Sequence, residues 1–244
     1  MAVIAVFSSK GGVGKSTLAA SLAWTSAALS RRETLLWDLD PQGAAAFLLG
    51  VDPPATSRAA RLFTRESAAE GLVLPTRWDK LALLPADDSL RDLGGLLAGI
   101  GKKRRLFRLT EALAARYERI VLDCPPGMNE VSAQVLRAAD VVIMPLPPSP
   151  LSGRALDTLR TELVRHHNKH PPILPVMAMV DRRRALHREA LAAHPDWPVI
   201  PMAAGIEAMA SRRQPVGAFA PSSPAAQAVM RLWAGIERKL QALG

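Results

Sequence analysis

The stretch Ser9-Lys10-Gly11-Gly12-Val13-Gly14-Lys15-Ser16-Thr17 decides the fold of this 244-residue chain. An apolar, β-branched run over residues 3–7 precedes it, and an alanine-rich helical pattern over residues 15–29 follows it. A strand, a glycine loop and a helix in this order form the context of a phosphate-binding loop. The glycines let backbone N–H groups converge on phosphate oxygens, and the helix start adds partial positive charge. The alternative is a glycine-rich turn that binds nothing, which the Gly-Lys-Ser triplet disfavours.

Two side chains of this loop are candidates for direct chemistry. Lys15 is placed to reach the β- and γ-phosphates of a nucleotide, and the Ser16 hydroxyl is placed to ligate magnesium. The sequence therefore predicts a nucleotide site with a divalent cation.

Composition excludes several other classes of protein. Cys124 is the only cysteine, so the chain has no disulfide framework and no cysteine-rich metal site. The first residues lack a basic region and lead directly into the first apolar run, which disfavours a signal peptide. No apolar run approaches the ~18 residues that would span a bilayer. A cytoplasmic protein is the simplest interpretation.

Charge is distributed unevenly along the chain. The first 100 residues carry ten of the 31 basic and ten of the 22 acidic residues. The remaining residues therefore account for the whole formal net charge of +9. A basic half attracts polyanions such as nucleic acid or an acidic membrane surface, whereas ordinary solvated arginines are an equally good explanation of the charge alone.

Carboxylates follow two further apolar runs. Asp38 and Asp40 follow the run at residues 34–37, and Asp123 ends the run Ile120-Val121-Leu122. In open α/β sheets ligands bind at the carboxyl ends of the strands, so we expect these carboxylates near the phosphates. Phosphoryl transfer needs such groups to position water and to hold magnesium. The alternative for Asp40-Pro41 is a turn that closes a strand.

The order of the elements predicts the fold class. Strands alternate with helices and composition does not change along the chain, so we expect residues 1–244 to form a single domain. We expect an α/β fold with one doubly wound, mostly parallel sheet and helices on both faces, which together with the phosphate loop resembles the P-loop NTPases. Residues 50–78 show no firm periodicity, and the glycines over residues 94–101 are expected to interrupt helical structure.

The loop K-G-G-x-G-K-[ST] resembles the deviant Walker A motif of the ParA/MinD ATPases. The run D-x-D-P-Q-G at residues 38–43 and the h-h-h-D run ending at Asp123 resemble the second and third motifs of that family. The resemblance implies that Lys10 crosses a dimer interface to the partner's nucleotide, that Asp40 orients the hydrolytic water, and that Asp123 holds magnesium through a water. Lys10, Lys15 and Asp40 are then the catalytic residues, and Ser16, Asp38 and Asp123 form the metal site. The nucleotide contacts in the loop are Lys10, Gly11, Gly12, Val13, Gly14, Lys15, Ser16 and Thr17.

The resemblance extends less specifically into the basic half of the chain. It implies adenine contacts from Val180, Asp181, Met202 and Pro221. The predicted DNA contacts are all basic residues: Lys102, Lys103, Arg104, Arg105, Arg182, Arg183, Arg184, Arg212 and Arg213. Histidines 166, 167 and 170 share part of a helical pattern, but no carboxylate or cysteine completes a metal site there.

The family resemblance implies an ATPase switch with ATP and Mg²⁺ as cofactors. ATP binding would close a homodimer that binds DNA without sequence preference, and hydrolysis stimulated by a ParB-like or other adaptor would release it. Such proteins partition or position DNA or protein cargo, and the expected location is the cytoplasm, on the nucleoid. Two alternatives remain: a MinD-like membrane switch that uses the amphipathic helix over residues 225–242, and a metabolic ligase resembling dethiobiotin synthetase.

Overall fold

The computed structural model describes residues 1–55, 59–64, 69–100, 104–166 and 170–243. Within these ranges there are eight strands: β1 (Ala2–Val6), β2 (Thr34–Asp38), β3 (Leu74–Pro75), β4 (Leu81–Leu84), β5 (Arg119–Asp123), β6 (Val141–Leu146), β7 (Ile173–Val180) and β8 (Val199–Pro201). They form one sheet in the order β3-β4-β2-β5-β1-β6-β7-β8. All neighbouring strands pair in parallel except β3 and β4, which are antiparallel. The predicted fold class is confirmed.

Eleven helices are assigned within the described ranges. They are α1 (Lys15–Ser30), α2 (Ala44–Leu49), α3 (Arg61–Thr64), α4 (Leu93–Ile100), α5 (Arg105–Leu113), α6 (Glu130–Ala138), α7 (Pro150–His166), α8 (Ala185–Ala193), α9 (Ala204–Arg212), α10 (Val216–Phe219) and α11 (Pro224–Gln241). Short 3₁₀ turns occupy Ala69–Leu72 and Asp88–Asp92.

The sheet has a separate hydrophobic core on each face. On one face, buried side chains of α1, α2, α9, α10 and α11 pack against it. On the other face, buried side chains of α3 to α7 do so. The central strands are buried along their whole length because helices cover both faces, which explains their continuous apolar runs.

The segment around Gly94 and Gly95 differs from the sequence expectation. We predicted an interruption, but residues 93–100 form helix α4. Leu93 and Leu97 of this helix are buried in the core. Their burial stabilises the helix against a cost of about 1 kcal/mol for each glycine in its interior.

The last helix is integrated into the core. The predicted apolar stripe of α11 is present, and Val229, Leu232, Trp233 and Ile236 are all buried. The Trp233 indole N–H donates to the Ser30 hydroxyl of α1 at 2.7 Å. The stripe that a membrane-docking helix would expose is therefore covered by the protein itself.

Within the described ranges, no helix combines the length and the apolar character needed to cross a bilayer.

Candidate functional site

The phosphate loop joins β1 to α1 at the carboxyl edge of the sheet, as predicted. Gly12 and Gly14 have φ angles of 72° and 84°, which only glycine adopts without strain. Gly14 is also the N-cap of α1, so the unpaired N–H groups of the first helical turn face the loop. A helix start that presents free N–H groups and partial positive charge is an anion site.

The two lysines of the loop differ in their surroundings. Lys15 is 7% exposed and lines the main cavity of the described structure. Its ammonium group donates to the backbone carbonyl of Lys10 at 3.4 Å. The Lys10 side chain is partly exposed and is absent from the described residues that line this cavity. One lysine therefore faces the cavity of its own chain, and the other does not.

Asp38 organises the loop that carries Asp40. The Asp38 carboxylate accepts hydrogen bonds from the backbone N–H groups of Asp40 at 2.9 Å and of Ala45 at 3.1 Å. Asp40 Oδ1 accepts from the N–H of Gln42 at 3.1 Å, and Asp40 lines the cavity. Asp38 lies beneath the loop as its anchor, whereas Asp40 lies at the cavity surface.

Asp123 has the features of a metal-holding residue. It is completely buried, and neither carboxylate oxygen forms a hydrogen bond of normal length and angle with any described residue. Burial raises its pKa to about 7, a rise that the nearby Ser16 hydroxyl and Lys15 ammonium limit. A buried, unpaired carboxylate beside a serine hydroxyl suits a hard cation with oxygen ligands, so these residues fit magnesium.

The pKa of Asp38 is also raised well above its ordinary value. Burial is the largest cause, and the neighbouring Asp123 adds to it. The two backbone hydrogen bonds from Asp40 and Ala45 oppose the rise. Both buried acids are therefore held in surroundings that disfavour two negative charges without a cation.

A cavity of about 620 Å³ extends from the phosphate loop between α2 and α9. Its described lining includes the whole loop from Gly11 to Thr17 together with Asp40, Gln42, Ala44, Phe47, Leu48, Pro126, Pro145, Met179, Met202, Ile206, Glu207 and Ala210. The polar end lies at the loop, and the rest is mainly apolar. A polar anion end joined to an apolar chamber matches the two parts of a nucleotide.

The four predicted adenine contacts are placed unevenly. Met202 lines the cavity, whereas Val180, Asp181 and Pro221 are absent from its described lining. Val180 is buried in β7, and Asp181 forms an ion pair with Arg183 at 2.8 Å. This ion pair lowers the pKa of Asp181 to about 2.

Several residues of the cavity wall carry no recognisable sequence pattern. Phe47 and Leu48 belong to α2, and Ile206 and Ala210 belong to α9. Nothing in their local sequence marks them, because only the packing of α2 beside α9 brings them to the cavity.

The predicted DNA contacts fall into three groups. Lys102 and Lys103 lie outside the described residues. Arg104, Arg182, Arg183, Arg184 and Arg212 are exposed. Arg105 and Arg213 are less exposed and have partners within the protein, and the exposed Arg183 pairs with Asp181.

Arg105 is a correction to the sequence analysis. It is 7% exposed and donates to the backbone carbonyl of Leu62 at 2.7 Å. The side chain ties α5 to α3 inside the protein, so it is not part of a DNA-facing surface.

The possible histidine metal site receives no support. His167 lies outside the described residues, and in the described part of the chain no three His, Cys, Asp or Glu side chains are grouped so that they could hold a metal ion. His170 Nδ1 is instead within 3.0 Å of the Pro171 carbonyl oxygen.

Comparison with known proteins agrees with this geometry. A family model described as an AAA domain, AAA_31, matches residues 1–174. The chromosome-partitioning ATPase Soj of Thermus thermophilus is 34% identical over 250 residues, which cover 98% of this chain and 96% of that protein. The chromosome partitioning protein ParA of Myxococcus xanthus is 37% identical over 148 residues, 59% of this chain and about half, 51%, of that protein.

Solved structures share the fold. Apo McdA from Cyanothece has a TM-score of 0.82 at 20% identity, covering 96% of this chain and 98% of that one. Cobyrinic acid a,c-diamide synthase from Mycobacterium smegmatis, with bound ADP and magnesium, has a TM-score of 0.81 at 26% identity, covering 99% and 96%. Because the family model covers more than half of the chain and the Soj alignment covers nearly all of it, this chain belongs to the ParA/MinD family of ATPases.

Proposed function

We propose that residues 1–244 act as one ATPase domain that works as a partition or positioning switch. It binds ATP with Mg²⁺, closes into a homodimer, binds DNA without sequence preference and is released by hydrolysis. An adaptor, ParB-like or of another type, stimulates hydrolysis, and the protein acts in the cytoplasm on the nucleoid. The observation that carries this proposal is the different placement of Lys10 and Lys15.

A site that needs two subunits explains both lysines. Lys15 lines the cavity of its own chain, where its charge is available to the phosphates. Lys10 lies in the same loop but outside the described lining of that cavity. In the proposed dimer, Lys10 completes the partner's site, so ATP binding and assembly become one event.

The remaining residues of the site have separate tasks in this proposal. Ser16 and Asp123, with Asp38 beside them, would form the magnesium site, and the cation neutralises the charge that develops on the phosphate oxygens. Asp40 orients the attacking water from the cavity surface. Asp38 keeps Asp40 in place through its hydrogen bonds to the backbone of Asp40 and Ala45.

The DNA surface is proposed from the exposed arginines. Arg104, Arg182, Arg184 and Arg212 remain exposed, and they belong to the half of the chain that carries the excess positive charge. Nothing in these positions suggests base reading, so we propose contact with phosphates. The similarity to Soj, a chromosome-partitioning ATPase, supports this output, although a protein assembly is an equally suitable cargo.

The proposal is tested by measuring DNA binding with ATP, with ADP and without nucleotide. We expect binding only with Mg-ATP, to duplexes of unrelated sequence alike. The logarithm of affinity should fall with the logarithm of salt concentration, with a slope of about 0.9 for each phosphate contacted. Equal binding without ATP, or affinity that does not change with salt, contradicts the mechanism.

The membrane alternative loses its main support. The apolar stripe of α11 is buried against the sheet and α1, so a liposome would have to compete with the core for it. The same DNA-binding measurement distinguishes the metabolic alternative from the proposed switch. A small-molecule ligase is not expected to bind DNA in an ATP-dependent way.

A further inference from the structure

The nucleotide cavity lies between two helices that are distant in sequence. Phe47 and Leu48 of α2 form one wall, and Ile206 and Ala210 of α9 form the other. Helix α2 begins immediately after the loop that carries Asp40, with Gly43 as its N-cap. A shift of α2 would therefore move the cavity wall and the Asp40 loop together.

Arg213 joins these two helices. It is the C-cap of α9, and its side chain crosses to the end of α2. Its Nε donates to the Phe47 carbonyl at 3.3 Å, and Nη2 donates to the Val51 carbonyl at 3.4 Å. The guanidinium also pairs with the Asp52 carboxylate through two contacts of 2.5 and 3.2 Å. The guanidinium carbon lies 5.0 Å from the centre of the Phe47 ring.

Arg213 ends α9 in a backbone conformation that glycine usually adopts. Its φ angle is 51°, a left-handed conformation that is sterically unfavourable for a non-glycine residue. Glycine is the residue usually found where a helix ends in this conformation, and it would remove that cost. The contacts of the arginine side chain to α2 offset the strain that glycine would avoid.

Arg77 also contacts the junction between the ends of α2 and α9. The Arg77 guanidinium donates to the Arg213 carbonyl at 2.9 Å. A Cβ atom on Gly50, the C-cap of α2, would lie 2.0 Å from Arg77 Nη2 and 3.1 Å from the Arg213 carbonyl oxygen. A side chain at position 50 would therefore disturb the Arg77 and Arg213 contacts that lie between the ends of α2 and α9.

We propose that Arg213 is a positioning residue of the nucleotide site. It clamps α2 against α9, which fixes the Phe47 wall of the cavity and the loop bearing Asp40. This role replaces the predicted DNA contact of Arg213, and it rests on the proposed nucleotide-binding function. The ligand it affects is a magnesium–nucleotide complex in the cavity described above.

The chemistry of the clamp requires arginine. The Asp52 carboxylate of the ion pair is exposed, and such pairs contribute little on their own. A guanidinium presents several donors in a fixed plane, so one side chain can satisfy two carbonyls and a carboxylate at once. Lysine would keep the charge near Asp52 but could not hold the same three partners.

The test uses Arg213→Gly, which removes the side chain and fits the left-handed backbone. Arg31→Gly is the matched control, because Arg31 also caps a helix with a φ of 54° and pairs with an aspartate, Asp79, at 2.9 Å. Arg31 is absent from the described lining of the cavity. Both variants lose one arginine and one exposed ion pair at the same backbone geometry.

The readouts are the Kd of a fluorescent ADP analogue without DNA, and kcat and KM for Mg-ATP. We expect Arg213→Gly to bind the analogue about fivefold more weakly and to raise KM, with Arg31→Gly close to wild type. Arg213→Lys should recover only part of the loss. A second variant, Asp52→Asn, should weaken binding in the same direction but less, because it leaves both carbonyl contacts intact.

The clamp would be overturned if Arg213→Gly bound the analogue and Mg-ATP as wild type does. It would also be overturned if Arg213→Gly and Arg31→Gly lost nucleotide affinity equally. A full recovery in Arg213→Lys would overturn it as well. Failure of wild type to bind or hydrolyse nucleotide would instead refute the proposed function, so the two failures are distinguishable.

Discussion

Asp38 and Asp123 occupy paired positions at the carboxyl ends of the neighbouring parallel strands β2 and β5, and both are completely buried. Two backbone N–H groups stabilise the Asp38 carboxylate, but neither Asp123 oxygen has a partner of ordinary geometry among the described residues. An unpaired buried acid lowers the stability of the nucleotide-free protein. We attribute this cost to the requirement for a cation at the site.

We predict that Asp123→Asn stabilises the nucleotide-free protein while it impairs the site. Removing the buried charge should raise the melting temperature by about 3 °C in the absence of magnesium. The same variant should lose most of the further rise that Mg-ATP produces in wild type. Differential scanning fluorimetry with EDTA, and then with Mg-ATP, measures both effects. A variant that is less stable than wild type in EDTA would show that Asp123 has a structural partner.

The pKa of Asp123 predicts how this stabilisation depends on pH. An acid whose pKa is higher in the folded state keeps a proton that the unfolded chain releases, so stability falls as pH rises between the two values. For Asp123 the window runs from its ordinary value of 3.8 to about 7. The advantage of Asp123→Asn should therefore be small near pH 4 and largest above about pH 7. Urea unfolding in EDTA at both pH values tests this, and a pH-independent advantage would contradict it.

The two loop lysines should fail in different ways. Lys15→Ala removes the buried charge in the cavity, so we expect it to weaken nucleotide binding by at least about tenfold. Lys10→Ala should leave monomer binding of ADP nearly unchanged and abolish ATP-dependent dimerisation. Fluorescent ADP titration and sedimentation velocity separate the two variants. Loss of ADP binding in Lys10→Ala would show that Lys10 acts within its own subunit.

Trp233 provides a test of the last helix. Its side chain is buried and its indole N–H is hydrogen-bonded to Ser30, so Trp233→Ala should cost about 3–5 kcal/mol of unfolding free energy. Wild type should not sediment with anionic liposomes, with or without ATP. Urea unfolding and liposome co-sedimentation provide the two readouts. The membrane alternative would be favoured by a different pair of results. Wild type would bind liposomes, and Trp233→Ala would lose that binding while its stability stayed unchanged.

The sequence contains most of the information about the phosphate end of the site. Three local patterns mark this end: residues 9–17, the D-x-D run and the apolar run ending at Asp123. Each predicted the neighbouring strand and placed the strand's carboxyl end at the same edge of the sheet. The cavity walls are different, because Phe47 and Ile206 come together only when α2 packs beside α9. Helix α2 is too short for its periodicity to be recognised, and α6 and α8 were not predicted as separate helices.

The burial of some side chains could not be predicted from the local sequence. Arg105 stands in a basic run that suggests a solvated surface, but its guanidinium is directed inward to the Leu62 carbonyl. Helix α4 contains glycines that favour other conformations, and its buried leucines determine the outcome. In both cases tertiary packing overrides the local preference, and no pattern within the segment records that packing.

The most direct test of the switch is sedimentation velocity of Asp40→Ala with Mg-ATP, with and without a DNA duplex. Asp40 lines the cavity on a loop held by Asp38, so its removal should slow hydrolysis at least about 100-fold while ATP still binds. Our account predicts a stable dimer that stays on DNA, whereas wild type dissociates as ATP is consumed. An Asp40→Ala protein that binds ATP but remains monomeric and does not bind DNA would contradict it.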